Sequence, residues 1–151
     1  DTVYDAYMNA AGVTTVQVKD SYLATQVLAT AQVNPISKAV ALPQLATGTY
    51  LMTVSRVGYM ARDIAVTIAN GNLDLGNKAL LAGEVYPDGI IDGSDSESMF
   101  AGIGLGYGDP GYLSANDINL DGIVDGTDTE TVFANLGLDV SFYGETVDYW
   151  N

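Results

Sequence analysis

Asp117-Ile118-Asn119-Leu120-Asp121-Gly122-Ile123-Val124-Asp125-Gly126-Thr127-Asp128 carries oxygen side chains at positions 1, 3, 5, 9 and 12 of a twelve-residue stretch, with glycine at position 6. This is the spacing a hard cation needs, because alternate residues of a tight loop turn their side chains inward. Calcium takes six to eight oxygens at about 2.3–2.6 Å. Gly122 permits the sharp turn, and the carbonyl of Ile123 supplies the position-7 oxygen. Asp128 then reaches back from the first turn of a helix as the bidentate ligand. Val124, at position 8, is expected to pair with its opposite number in a second loop.

That second loop lies 33 residues earlier. Glu84, Asp88, Gly89, Ile90, Ile91, Asp92 and Asp95 fall on Asp117, Asp121, Gly122, Ile123, Val124, Asp125 and Asp128. The match runs on, with six of twelve positions identical between 93–104 and 126–137. Such self-similarity marks an internal duplication. Each copy reads as a loop followed by a helix. Met99 and Ile103, and Val132 and Leu136, form an i, i+4 core stripe, and Gly104 and Gly137 stand where a C-terminal cap would end each helix. The calcium ligands expected are Glu84, Asp88, the Ile90 carbonyl, Asp92 and Asp95 in loop one (84–95). In loop two (117–128) they are Asp117, Asn119, Asp121, the Ile123 carbonyl, Asp125 and Asp128. Loop one is the weaker, since Glu84 stands at position 1 and Tyr86, a poor ligand, at position 3.

Charge supports a cation. The chain has 151 residues and a net charge of −14. All five basic residues (Lys19, Lys38, Arg56, Arg62, Lys78) precede residue 80, and residues 1–83 balance them with five acids. The other 14 acids lie in 84–151 with no base among them. Nucleic acid and anionic lipid are poor partners for that surface. Carboxylates about 4–5 Å apart repel by roughly 3–4 kcal/mol at an effective dielectric of 20, unless water or a cation relieves them. Cysteine and histidine are absent, which removes disulfides, the usual zinc ligands, thiol nucleophiles and the commonest general base. No apolar run is long enough to span a membrane. Asp1 is not a natural start, so trimmed ends are expected.

The residues before each loop do not read as helix. Leu73 to Gly83 reads as strand and turn, and Gly106 to Asn116 is rich in Gly and Pro. An EF-hand has helices on both sides of its loop and Glu at position 12; here that position is Asp in both copies. A duplicated loop-plus-exiting-helix of this kind, over 83 to about 140, resembles the dockerin family, the plugs that bind cohesin modules in cellulosomes and related surface assemblies. The resemblance implies a calcium-dependent docking role, a cohesin partner and an extracellular, cell-surface setting. It also implies partner contacts at Gly93, Ser94, Phe100 and Ala101, and at Gly126, Thr127, Phe133 and Ala134. With Phe and Ala on the helix face, the interface resembles that of the type II group. Phe100 and Phe133 each follow a core position and so point about 100° away from it, as core-edge residues or as matched anchors. Glu97 and Glu130 read as a solvated rim.

The first half is rich in β-branched runs: Val13–Val18, Ala39–Leu42, Thr49–Ser55 and Asp63–Ile68, with turn signals between them. Such spacing suggests a β-sandwich. Gly48 to Tyr59 followed by Ile64 to Ile68 resembles the prealbumin-like sandwich, and beside a dockerin such a domain is similar to the X module. The expectation is therefore a two-domain α+β chain: an N-terminal all-β, Ig- or prealbumin-like sandwich (1–82) packed on a small α-helical dockerin (83–151). The apolar linker Leu80-Leu81-Ala82-Gly83 argues for a shared interface rather than a floppy tether. Tyr143, Tyr149 and Trp150 are expected to pack back near Tyr86-Pro87. The alternative function is a carbohydrate-binding or adhesive module with structural calcium. An enzyme ranks below both, because the carboxylate pairs are committed to the loops.

Overall fold

The computed structural model describes residues 11–20, 26–69 and 71–145. Four strands, β1 (Thr15–Asp20), β2 (Val27–Gln32), β3 (Gly48–Ser55) and β4 (Arg62–Ile68), form one antiparallel sheet in the order β2-β1-β3-β4. Val18 stands opposite both Ala29 and Met52, and Met52 opposite Ile64. One row of buried side chains thus crosses all four strands, with Val16 and Val66 buried on the same face.

The expected sandwich does not form among the described residues. The sheet's apolar face is covered by irregular chain instead, through Val33, Val40, Leu42, Leu45 and Leu75. Ala39–Leu42 is therefore not a strand, though two of its side chains reach the core. Pro35 and Pro43 flank it, and proline cannot donate to a ladder. Val27–Gln32 escaped the reading because it is a mostly exposed edge strand whose only buried side chain is Ala29.

An α-helical domain docked on a sandwich is likewise not what forms. From 83 to 145 the α-helices are short, α1 (Gly93–Gly102) and α2 (Gly126–Ala134), and turns and isolated bridges make up most of the rest. Pro110 and the left-handed Gly104, Gly108 and Gly111 rule out regular helix between them. Two cores form, and residues on both sides of position 82 reach the second. The β3–β4 turn enters the second one, where Met60 is fully buried with Val85, Ile91, Met99, Ile118, Val124 and Val132. Met60 N donates to the Leu81 carbonyl (2.7 Å) and Gly83 N to the Gly58 carbonyl (2.9 Å). Gly58 has φ +79°, and a Cβ there would sit 2.9 Å from the Ala115 carbonyl oxygen, so the close approach requires glycine.

The chain returns to this seam after α2. Tyr143 Oη donates to the Met60 carbonyl (2.6 Å) and accepts from Leu81 N (2.9 Å). The Arg62 guanidinium stacks on the Tyr143 ring at 4.6 Å and donates to Glu145 Oε1 at 2.7 Å and 3.0 Å. Lys78 Nζ reaches the same oxygen at 2.9 Å. Tyr143 thus packs on Arg62 and the linker, while Tyr149 and Trp150 lie outside the described residues.

Hydrogen bonds from Lys78 and Arg62 hold the Glu145 carboxyl below its ordinary value. A carboxylate with a depressed folded pKa stabilises above its unfolded pKa and loses that contribution as pH falls through the folded value. Arg62→Ala is expected to lower the unfolding free energy by about 2 kcal/mol near neutral pH, given the charged hydrogen bonds lost. The deficit should shrink as pH falls below the ordinary carboxylate range and through the lowered folded value of Glu145, where that group protonates in the wild-type chain as well. Urea titrations across that range check both statements.

Candidate metal loops and docking face

Each loop is closed by the carboxylate at position 12. Asp128 Oδ1 accepts from Ile118 N (2.8 Å) and Asn119 N (3.3 Å), and its Oδ2 from Asp125 N (3.0 Å). Asp95 repeats this with Val85 N (2.8 Å), Tyr86 N (2.9 Å) and Asp92 N (2.8 Å). The same bonds complete a capping box at each helix start, with Asp92 and Asp125 as N-caps. At position 1, Asp117 accepts from Asp121 N (3.1 Å) and Gly122 N (2.9 Å), and from the Tyr112 hydroxyl at 2.5 Å. Glu84 accepts from Asp88 N (2.9 Å) and Gly89 N. Asp88 and Asp121 at position 5 each cap the amide two residues on, at 3.1 Å. Asn119 donates to Asp121 and Thr127, whereas its counterpart Tyr86 points to solvent.

The two copies interlock through a pseudo-twofold backbone clasp. Ile91 N donates to the Leu138 carbonyl and Gly137 N to the Ile91 carbonyl, at 2.9 and 2.7 Å. Val124 N donates to the Leu105 carbonyl and Gly104 N to the Val124 carbonyl, at 2.9 and 2.8 Å. Position 8 of each loop therefore pairs with the segment leaving the other copy's neighbourhood, not with its opposite number. The side chains of Ile91 and Val124 do share the core. Gly104 and Gly137 take the left-handed conformation, each at φ +85°.

Electrostatically the loops are unbalanced. Glu84, Asp95, Asp117 and Asp128 are buried, and no basic side chain among the described residues pairs with them. Burial pushes the Asp128 carboxyl up, with the charge of Asp117 adding to it. Burial also raises Glu84, with Asp95 and Asp88 adding further. For an acid, a raised folded pKa means that ionisation opposes folding at neutral pH, and a nearby cation would offset that cost. No three acidic side chains converge on one point among the described residues, the carboxylates being turned onto backbone amides. The donor set is nonetheless all oxygen and fits a hard cation: each carboxylate has about four acceptor sites, so lone pairs remain after the amides are served.

All eight residues expected at the partner face are exposed: Gly93, Ser94, Phe100, Ala101, Gly126, Thr127, Phe133 and Ala134. Phe100 and Phe133 are 55% and 47% exposed, and their rings meet at 5.8 Å between centroids, tilted by 51°. Each ring is half-covered and leans on the other. Met99 and Val132 are fully buried as expected, but Ile103 and Leu136 are 47% and 41% exposed. The helices end at Gly102 and Ala134, so the i, i+4 stripe breaks before its second member. Those two side chains add to the apolar surface instead of the core. Glu97 and Glu130 are exposed.

No family model matches the chain, and no curated protein matches it in sequence. Among solved structures, it is similar to a chain of an N-terminal-interface mutant of a type II cohesin–X-dockerin complex from Acetivibrio cellulolyticus. That match has a TM-score of 0.69 and 21% identity, over 90% of this chain and 88% of that one. A C-terminal-interface mutant of the same kind of complex gives a TM-score of 0.67 and 22% identity, over 88% of this chain and 85% of that one. The chain thus shares its fold with a chain of these type II cohesin–X-dockerin complexes.

Proposed function

We propose that this chain is a calcium-dependent docking module, a type II-like dockerin (83–151) supported by an X module (1–82). Its partner is a cohesin of an extracellular scaffold or cell-surface protein. The observation that carries the reading is the Phe100–Phe133 pair. Duplicated positions bring two large rings together on the outside, where an aromatic side chain costs solvation unless a partner covers it. Ile103, Leu136, Ala101 and Ala134 extend the apolar surface, and Ser94 and Thr127 give it polar points at the helix starts. Such a centre with a carboxylate rim at Glu97 and Glu130 has the anatomy of a protein interface. Catalysis has no place in this reading.

Asp117, Asn119, Asp121, the Ile123 carbonyl, Asp125 and Asp128 would hold one ion. Glu84, Asp88, the Ile90 carbonyl, Asp92 and Asp95 would hold the other. A bound divalent ion supplies the positive charge that the buried carboxylates lack and couples loop closure to folding. The loops in turn orient α1 and α2, and with them the two rings.

Phe100→Ala and Phe133→Ala are each expected to weaken binding to a type II cohesin about 30-fold or more, as hot-spot truncations of about 2 kcal/mol do. Calorimetry with the purified modules reads this. Unchanged affinity in both variants would remove the docking face from consideration, and a hit on a glycan array without cohesin binding would favour the carbohydrate-binding alternative.

A chelator is expected to lower the melting temperature and abolish that binding. In excess calcium, Asp128→Ala should destabilise more than Asp95→Ala, because loop two has the fuller ligand set. Under chelation the two losses should converge, since each removes the carboxylate that accepts from three equivalent backbone amides. Thermal melts with and without chelator test the pair, and identical melts in the two buffers would refute metal-coupled folding.

A further inference from the structure

The two loops differ in a residue that belongs to neither. The Tyr112 hydroxyl donates to Asp117 Oδ2 at 2.5 Å, and Gly122 N donates to the same oxygen at 2.9 Å. Both acceptor sites of Oδ2 are then served, and Oδ1 carries only Asp121 N at 3.1 Å. Asp117 is fully buried, so no bulk water competes for it. In loop one the described donors to Glu84 are two backbone amides, both on Oε1. The residue 33 positions before Tyr112 is Ala79, which has no hydroxyl to give.

The connector between the copies is shaped to place this phenol. Gly106 N donates to Asp109 Oδ2 (2.8 Å), Asp109 N to the Gly106 carbonyl (3.0 Å) and Tyr112 N to the Asp109 carbonyl (3.1 Å). The Tyr107 ring meets the Tyr112 ring edge-on at 6.1 Å and 86°. Tyr112 is half-buried against the core that includes Ile118 and Val124.

Resting on the calcium reading above, we infer that Tyr112 is a positioning residue for the loop-two cation, fixing Asp117 so that it offers a single oxygen, Oδ1. A charge-assisted hydrogen bond to a ligating carboxylate locks its orientation before the ion arrives, and outer partners of this kind set metal affinity. Among the described residues loop one has no such lock, so the loops differ in affinity for a reason separate from Tyr86.

The test isolates one loop at a time in the full chain. Asp95→Asn cripples loop one, and Asp128→Asn cripples loop two. Calcium chloride titrated calorimetrically into the Asp95→Asn chain is expected to bind about 10- to 100-fold more weakly once Tyr112→Phe is added. Added to Asp128→Asn, the same change should leave the remaining site within about twofold, as independent sites do. Equal affinity with and without the hydroxyl at loop two overturns the inference. So does an equal loss in both backgrounds, which would mark a general packing defect. If the unmutated chain binds no calcium, the calcium reading falls and takes this inference with it; calcium bound without a Tyr112 effect sinks this inference alone. Should Tyr112→Phe fail to fold, terbium chloride decides with the phenol intact. The chain carrying Asp95→Asn and the exposed-site change Tyr86→Phe is expected to show tyrosine-sensitised terbium emission. Its absence would place the ion away from Tyr112 and overturn the inference.

Discussion

A buried carboxylate that serves three backbone amides is the constraint on which the second half of this chain depends. Asp95 and Asp128 each tie the first turn of a helix to the start of the loop preceding it. Short helices of ten and nine residues have little stability of their own, and their ends carry unsatisfied amides. Position 12 meets several of those needs at once. It does so with a negative charge deep in a region that has no basic side chain in its sequence. Structure and charge problem therefore share a source: the group that closes each loop is also a buried carboxylate with no basic side chain paired to it among the described residues.

Duplication multiplies this unit and then uses the second copy to hold the first. Neither loop helix can bury its apolar side alone; Met99 and Val132 meet across the pseudo-twofold with Ile91 and Val124. The clasp formed by Gly104, Leu105, Gly137 and Leu138 makes each copy's exit the backbone partner of a loop. The same symmetry that buries one side of the helices leaves the other side exposed twice over. Two phenylalanines from equivalent positions become neighbours in space although 33 residues separate them in sequence.

The loops were legible in the sequence because their chemistry is local. Oxygen spacing, a glycine at position 6 and a 33-residue repeat can all be seen without a fold, and the hydrogen bonds of Asp95 and Asp128 follow that register. The first half was read less well. Strands β3 and β4 carry dense β-branched runs and were found, but the edge strand at Val27–Gln32 has too few buried positions to show a period. A second sheet was expected where the chain supplies only Val40, Leu42 and Leu45 on irregular backbone, since side-chain burial does not require a ladder. Ile103 and Leu136 misled through their spacing: periodicity promises a buried face only while the helix lasts. Tyr112 gave no signal, because Gly and Pro announce turns between Gly106 and Asn116 but not which side chain those turns carry back to Asp117.

Met60 sits on a sheet turn yet fills the interior of the loop half, beneath a glycine that only a bare backbone could replace. The halves are thus joined like a key left in its lock. Recombination that brought a different first half to these loops would have to bring a matching turn, with a large flexible apolar side chain two residues after a left-handed glycine. A first half exchanged at this junction without that turn would leave a hole where Met60 now sits.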